Sequence, residues 1–379
     1  MDLHHIPGIV PADVLAQIAA AAESHDRNAS FPHDSLAALH RAGLLGLTVP
    51  RHLGGGGAGL GRAAEAVGAV GAACASTALI FAMQVLHQQR LGAGEDFSPA
   101  LRERIGRDAV RHGALLNVLR VEPALGTPAR GGLPETIARR TANGWRVSGR
   151  KIYATGATGL SWLQVWARDD GDTPRVGSFL VPAQSPGVWI EHSWDHLGLR
   201  ASGSDDVVFD GVEIPADHAG TLKPPQEWAR GDAAAAWNVA LIGAVYTGIA
   251  RAARDWIVQF LHARRPANLG AALATLPRMQ EAVGAVEEKL AVNAALIESI
   301  AQAVDLGAHH PPLTLNLFKT TLAENATRAV EQAAALAGNH ALSRHNPLER
   351  HLRDVLCARI HTPQADSAHL AAGHAALGV

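Results

Sequence analysis

Two cysteines in 379 residues, Cys74 and Cys357, are too few and too far apart for a disulfide scaffold. Neither has a Cys or His at finger spacing, which excludes a zinc ribbon. A reducing compartment, the cytoplasm, is the expected location. Lysine is almost missing: four Lys stand beside 29 Arg, and no basic run reaches five. With 33 basic against 35 acidic residues, a net charge of −2 and a pI near 6.9, nothing points to nucleic acid or an anionic membrane surface. The apolar runs fall far short of the roughly 20 residues a membrane-spanning helix needs. The start, MDLHHIPGIVPAD, has neither a cationic segment nor an apolar core, so no secretory leader is read.

What is present is uneven. Alanine, the best helix former, makes up almost a fifth of the chain. Tryptophan is absent before residue 145, yet five of the eight Trp fall between Trp145 and Trp194, in a stretch full of Val, Ile and Thr. A β-rich insert between two Ala-rich helical blocks accounts for both facts. We expect an N-terminal helical domain over 1–112, a middle β-domain over 113–225 and a C-terminal helical bundle over 226–379. The overall class is α+β.

Local patterns support this division. Val14, Leu15, Ile18 and Ala22 mark one helical face, and the next helix closes at Gly43. GWRVSGRKIYATGA, WLQVWARDD, RVGSFLVPA, GVWIEHSW and DDVVFDGVEIP read as strands of an antiparallel barrel or sandwich, with turns at Asn143-Gly144, Asp170-Gly171 and Ser185-Pro186-Gly187. Met279, Val283, Val286, Leu290, Ile297, Ile300 and Val304 form one apolar stripe. Leu315, Phe318, Leu322, Ala329, Ala333 and Leu336 form another. Such helices make a four-helix bundle.

Five segments carry a family likeness: GLLGLTVPRHLGGGGAGL, RVEPALGT, GWRVSGRKIYATGA, LGLRASGSDDVVFDGVEIP and LERHLRD. In this order and spacing, from about Phe31 to the C-terminus, the chain resembles the acyl-CoA dehydrogenase superfamily. The resemblance implies a helical domain, a β-domain and a four-helix bundle, assembled as a homotetramer. It implies FAD, or alternatively FMN, a small-molecule substrate, and either an electron-transfer flavoprotein or a flavin reductase as partner.

The resemblance also assigns roles. Glu122 and Thr127 belong to the loop that would meet flavin and substrate. Tyr153 and Thr155, read as alternating on one strand face, would flank the flavin ring. Arg200 and Ser202 stand in the turn beside it. Arg264, with Gln280 downstream, would meet the pyrophosphate and adenosine of a neighbouring subunit's FAD. Gly338 would let the backbone approach the dinucleotide.

One part is missing. Dehydrogenation of an acyl-CoA needs a carboxylate to remove the α-proton while hydride leaves to the flavin. The usual position after Arg353-Asp354 holds Thr362, and the alternative on the first bundle helix holds Asn238. Either Asp366 or Glu349 substitutes and the chain is still a dehydrogenase, or it belongs with relatives that use reduced flavin and O2 as monooxygenases. Tyr153-Ala-Thr155-Gly-Ala157 and His361-Thr362 resemble that second branch, as does His87 in the N-terminal block. A histidine titrates near neutrality and can steer a proton in such chemistry, so His361 and His87 are the candidate catalytic residues. The leading expectation is an acyl-CoA dehydrogenase-type oxidoreductase. The alternatives are a two-component flavin monooxygenase and a non-catalytic flavin-fold subunit.

Overall fold

A computed structural model describes residues 8–125, 132–228 and 232–379, with only the backbone of 232 and 233. The N-terminal block is helical. It comprises α1 (Ala12–Asn28), α2 (His33–Arg41), α3 (Leu60–Ala73), α4 (Ala75–Ala93) and α5 (Pro99–His112). Val14, Ile18 and Ala22 face the core from α1, as their spacing requires. Gly43, at φ 74°, breaks the chain after α2 in the left-handed region that glycine tolerates.

The strands are β1 (Leu115–Leu119), β2 (Ile137–Arg140), β3 (Gly144–Lys151), β4 (Leu160–Asp169), β5 (Val176–Pro182), β6 (Val188–Glu191) and β7 (Asp206–Pro215). They form one sheet in the order β1-β4-β2-β3-β7-β6, with β5 on the other edge of β4. Most pairings are antiparallel, as the hairpin signals suggest, but β4 runs parallel to both β1 and β2. The sheet is therefore mixed. The β5 strand is buried almost throughout, as a strand covered on both faces should be.

The chain then returns to helix in α6 (Asp232–Ala263), α7 (Pro277–Asp305), α8 (Pro312–Ala337), α9 (Leu348–Leu356) and α10 (Ala365–Leu377). Small residues let the helices of the first and last blocks approach closely. A Cβ on Gly248 of α6 would sit 2.4 Å from the Gly68 carbonyl of α3, so these two helices approach backbone to backbone. At the bundle centre, the buried Asn293 amide donates to Thr247 Oγ1 and the Leu322 carbonyl, both at 3.0 Å, and accepts from Asn325 at 3.1 Å. A satisfied polar knot of this kind fixes helix register.

Two acidic side chains are prominent among the links that stitch the blocks together. Asp305, the last residue of α7, accepts from the amides of Leu60 at 2.7 Å and Gly61 at 3.0 Å, capping α3 from another domain. Arg353 of α9 makes a two-pronged pair with Asp26 of α1 at 2.6 and 3.0 Å, pairs with Glu349 at 2.8 and 3.0 Å, and donates to the Leu197 carbonyl at 2.9 Å. Among the described residues, no helix is long and apolar enough to cross a membrane.

Candidate functional site

The strand reading of Tyr153 and Thr155 does not survive. β3 ends at Lys151, and Tyr153 takes a left-handed conformation at φ 57°. The Thr155 amide bonds back to the Tyr153 carbonyl at 3.0 Å, making a tight turn. This turn is zipped to residues 202–205: Ala154 N–H donates to Asp205 O at 3.0 Å, Gly156 N–H to Ser202 O at 2.9 Å and Ala157 N–H to Gly203 O at 3.0 Å. Alternation had implied a shared face. Instead the turn buries Ala154 and leaves the Tyr153 ring 55% exposed. A non-glycine residue held at positive φ is uncommon and is often found where a site needs it.

Tyr153 lines an open groove of about 510 Å3 with Pro123, Ile152, Trp194, His196 and Ser204. The Trp194 indole and His196 imidazole stack 3.6 Å apart at 12°, and both meet the Tyr153 ring edge-on. Arg150 borders the groove and is held by Asp206 at 2.6 Å and Glu191 at 2.7 Å. A line of hydroxyls runs inward: Ser204 lies 3.1 Å from Thr155 Oγ1 and 2.8 Å from Ser202 Oγ. Ser202 is fully buried, so it backs this line rather than touching anything in the groove. Arg200 also turns away, donating to the Asp26 carbonyl at 2.9 Å and to that of His196 at 3.4 Å.

Glu122 is 1% exposed and committed to the protein itself. It accepts from Glu135 N at 2.6 Å, from Thr136 N at 3.1 Å and from Thr136 Oγ1 at 2.6 Å, and it pairs with the buried ammonium of Lys151, which also donates to the Trp166 carbonyl. Glu122 therefore clamps the base of the loop it was expected to present to a ligand. Burial would raise its pKa, but Lys151 and these hydrogen bonds hold it below the usual value. Thr127 lies outside the described residues.

Behind the turn, Asn117 Nδ2 donates to the Thr155 carbonyl at 2.8 Å. His87, a buried side chain of α4, lies near Asn117, which acts to raise its pKa. Burial first, then the charges of Arg90 and Arg120, push the His87 pKa well below its ordinary value, so the ring is neutral. His87 Nδ1 is buried with no hydrogen-bond partner. Such an unpartnered ring nitrogen in a native interior calls for an explanation.

His361 lies on the other side of the domain boundary, against α6. Its Nε2 is 2.6 Å from the Tyr246 hydroxyl. Burial, then the charge of Lys319, lowers its pKa to about 4. Lys319 donates to the carbonyls of Ala358 and His361 and fixes the backbone there. Tyr246 is buried, and its pKa is pushed well above the ordinary value by that burial and by Cys357 and Asp354. The pair is therefore a neutral imidazole and a neutral phenol.

Arg264, Gln280 and Gly338 gather elsewhere, where α6 ends, α7 begins and α8 ends. Along α6 this is about 26 Å beyond Tyr246, at 1.5 Å per residue. Gln280 Nε2 donates to the Ala274 carbonyl at 3.0 Å, and Gly338 takes φ 57° with open space where a Cβ would stand.

The carboxylates proposed as substitutes are engaged. Glu349 pairs with Arg353, and Asp366 is exposed in the first turn of α10, accepting from Ser367 N at 2.8 Å. Thr362 and Asn238 are half-buried. Sequence reasoning missed Trp194, His196, Asn117 and Tyr246. Only the clustering of tryptophan hinted at the first of them.

Comparison with known proteins agrees with this architecture. The acyl-CoA dehydrogenase N-terminal domain matches residues 12–93, the middle domain 120–212 and the C-terminal domain 240–364. The putative acyl-CoA dehydrogenase YdbM of Bacillus subtilis is 32% identical over 359 residues, covering 94% of this chain and 92% of that protein. L-evernosamine nitrososynthase of a Micromonospora species is 31% identical over 364 residues, covering 91% and 83%. The structure of KijD3 with FMN and dTDP-3-amino-2,3,6-trideoxy-4-keto-3-methyl-D-glucose superposes with a TM-score of 0.79 at 32% identity, over 97% of this chain and 92% of that one. The chain belongs to the acyl-CoA dehydrogenase family.

Proposed function

We propose that this protein is a flavin-dependent monooxygenase of the acyl-CoA dehydrogenase family, oxygenating a small organic substrate with reduced flavin and O2. One observation carries the reading: both positions where the family keeps its base hold a neutral side chain, Thr362 and Asn238, while Glu349 is paired to Arg353 and Asp366 stands exposed at the start of α10. Abstraction of an α-proton from carbon needs a strong, well-placed carboxylate, whereas oxygen transfer needs only a group that can steer a proton.

The groove fits a flavin. It offers flat aromatic faces in Tyr153, Trp194 and His196 and hydroxyl donors in Ser204 and Thr155. When bound, reduced flavin supplies the two electrons with which O2 is split between product and water. His87, neutral and with Nδ1 unpartnered, accepts or holds a proton beside the Thr155 turn. His361, held by Tyr246, serves the substrate side. Similarity to KijD3, whose structure holds FMN, supports FMN as cofactor, and a flavin reductase is the partner that would deliver it reduced. With FAD instead, Arg264, Gln280 and Gly338 of a neighbouring subunit in a homotetramer would hold the pyrophosphate and adenosine.

The likeness to YdbM favours a second reading, an acyl-CoA dehydrogenase feeding an electron-transfer flavoprotein. Anaerobic titration with dithionite-reduced FMN and FAD, followed by O2 uptake with a flavin reductase, separates the two. A monooxygenase binds reduced flavin and consumes O2 with it, and His87→Ala lowers coupled turnover about 10²-fold, the usual worth of a proton-transfer group. A purified yellow protein that bleaches anaerobically with an acyl-CoA overturns the proposal in favour of the dehydrogenase. Binding without turnover points to a non-catalytic subunit.

A further inference from the structure

The Arg353-Asp354 pair was legible as a motif, but its acid has a place that the proposed oxygenation chemistry does not use. Asp354 is buried on α9, in the C-terminal domain. Its Oδ1 accepts from the Leu199 amide at 2.6 Å, a short, charge-assisted bond across a domain boundary. Leu199 is buried at φ 53° and ψ 36°, a left-handed conformation that a leucine adopts only where its surroundings impose it. The segment lies hard against α9: a Cβ on Gly198 would stand 2.4 Å from the Arg353 carbonyl, and Arg353 holds the Leu197 carbonyl.

On its other side, the Leu199 carbonyl accepts the Trp194 indole N–H at 3.0 Å. Trp194 is the ring on which His196 stacks and against which Tyr153 sets its edge. The left-handed turn at Leu199 aims its amide at α9 and its carbonyl at the groove wall. Asp205 fixes only the Trp194 backbone, accepting from its amide at 3.0 Å. Among the described residues, the indole N–H has only the Leu199 carbonyl as partner.

We propose that Asp354 is a positioning residue for the groove: through the Leu199 amide it holds the strained turn whose carbonyl orients the Trp194–His196 aromatic wall. It touches no ligand itself. That the wall faces a flavin rests on the reading above, whereas the placement of the wall does not.

The test separates the two. Protein labelled with 5-fluorotryptophan gives a fluorine resonance for Trp194, identified by its loss in Trp194→Phe. In ligand-free protein, Asp354→Ala removes the acceptor and Asp354→Glu keeps the charge but displaces the oxygen. Both shift the Trp194 resonance and leave that of Trp145, in the sheet core, where it was. Asp354→Asn keeps an oxygen at the same place and preserves the wild-type resonance. Titration with dithionite-reduced FMN follows the same order, with affinity about tenfold weaker in Asp354→Ala and Asp354→Glu and within about twofold of wild type in Asp354→Asn, as for one charge-assisted hydrogen bond. Asp354→Glu carries the test should Asp354→Ala fail to fold. The proposal is overturned if the Trp194 resonance stays at its wild-type position in the Ala or Glu variant, or if Asp354→Asn moves it as far. If the wild type itself binds no reduced flavin, the flavin reading falls, and the resonances still decide the role of Asp354.

Discussion

Lys151 has lost its water and keeps its proton because Glu122 faces it. Burial pulls its pKa down to about 8, with the Glu122 carboxylate opposing, so the pair is charged at neutral pH. Removing one partner strands the other in the interior. Lys151→Met is expected to cost about 3–5 kcal/mol of stability, and Lys151→Met with Glu122→Gln to recover most of it. Urea denaturation of the two variants checks this, and equal losses would show that the pair is not the source. The sequence already placed Lys151 and Glu122 in recognisable segments. It could not show that they meet, because their contact spans 29 positions and nothing local encodes it. Tyr153 was misplaced for a related reason. Alternation assumes extended backbone, and the positive φ is imposed by residues 202–205, not by the residues 151–155 themselves. His87 was found through a resemblance, and its unpartnered nitrogen is visible only in three dimensions.

Among the elements, α3 begins under an unusual cap. Its own N-terminal residues are Gly59 and Leu60, neither of which can accept a hydrogen bond through a side chain, and the acceptor is supplied by Asp305 from the end of α7. Gly59 leaves room for this cap, since a Cβ there would fall 2.5 Å from the Asp305 carboxylate and push it aside. Asp305→Ala is expected to destabilise by about 1–2 kcal/mol. Hydrogen exchange should then speed up first at the Leu60 and Gly61 amides, and uniform acceleration across the chain would refute a local cap. The helices themselves were readily legible. The stripes on α7 and α8 emerged with the right faces, because a 3.6-residue period survives whatever packs on it. The parallel pairing of β4 was not legible, since pairing depends on chain segments far away.

For the molecule as a whole, acid is the weak side. His87 and His351, both buried, and the half-buried His361 are neutral, with pKa values depressed by loss of solvent, to about 3 for His351 and about 4 for His361. An unfolded histidine takes up its proton near 6.5. Their contribution to stability is thus fully present above pH 6.5 and is lost as pH falls through the folded values. Asp354 acts in the opposite sense: burial raises its pKa to about 6, so its contribution is complete below pH 3.8 and is lost as pH rises through 6. Calorimetry from pH 7.5 to 4.5 should show a falling Tm. His361→Gln should flatten the fall, and Asp354→Asn should raise Tm relative to wild type only toward the upper end. A Tm independent of pH would contradict the neutral histidines.

The double grip of Arg353 on Asp26 also sets a clock. These partners are 327 positions apart. At roughly 5–20 residues per second of synthesis, Asp26 emerges on the order of 15–65 s before the arginine that neutralises it. Through that interval the first helices carry a carboxylate shaped for a cation not yet made, and the nascent chain can lock its three blocks only once Arg353 has emerged.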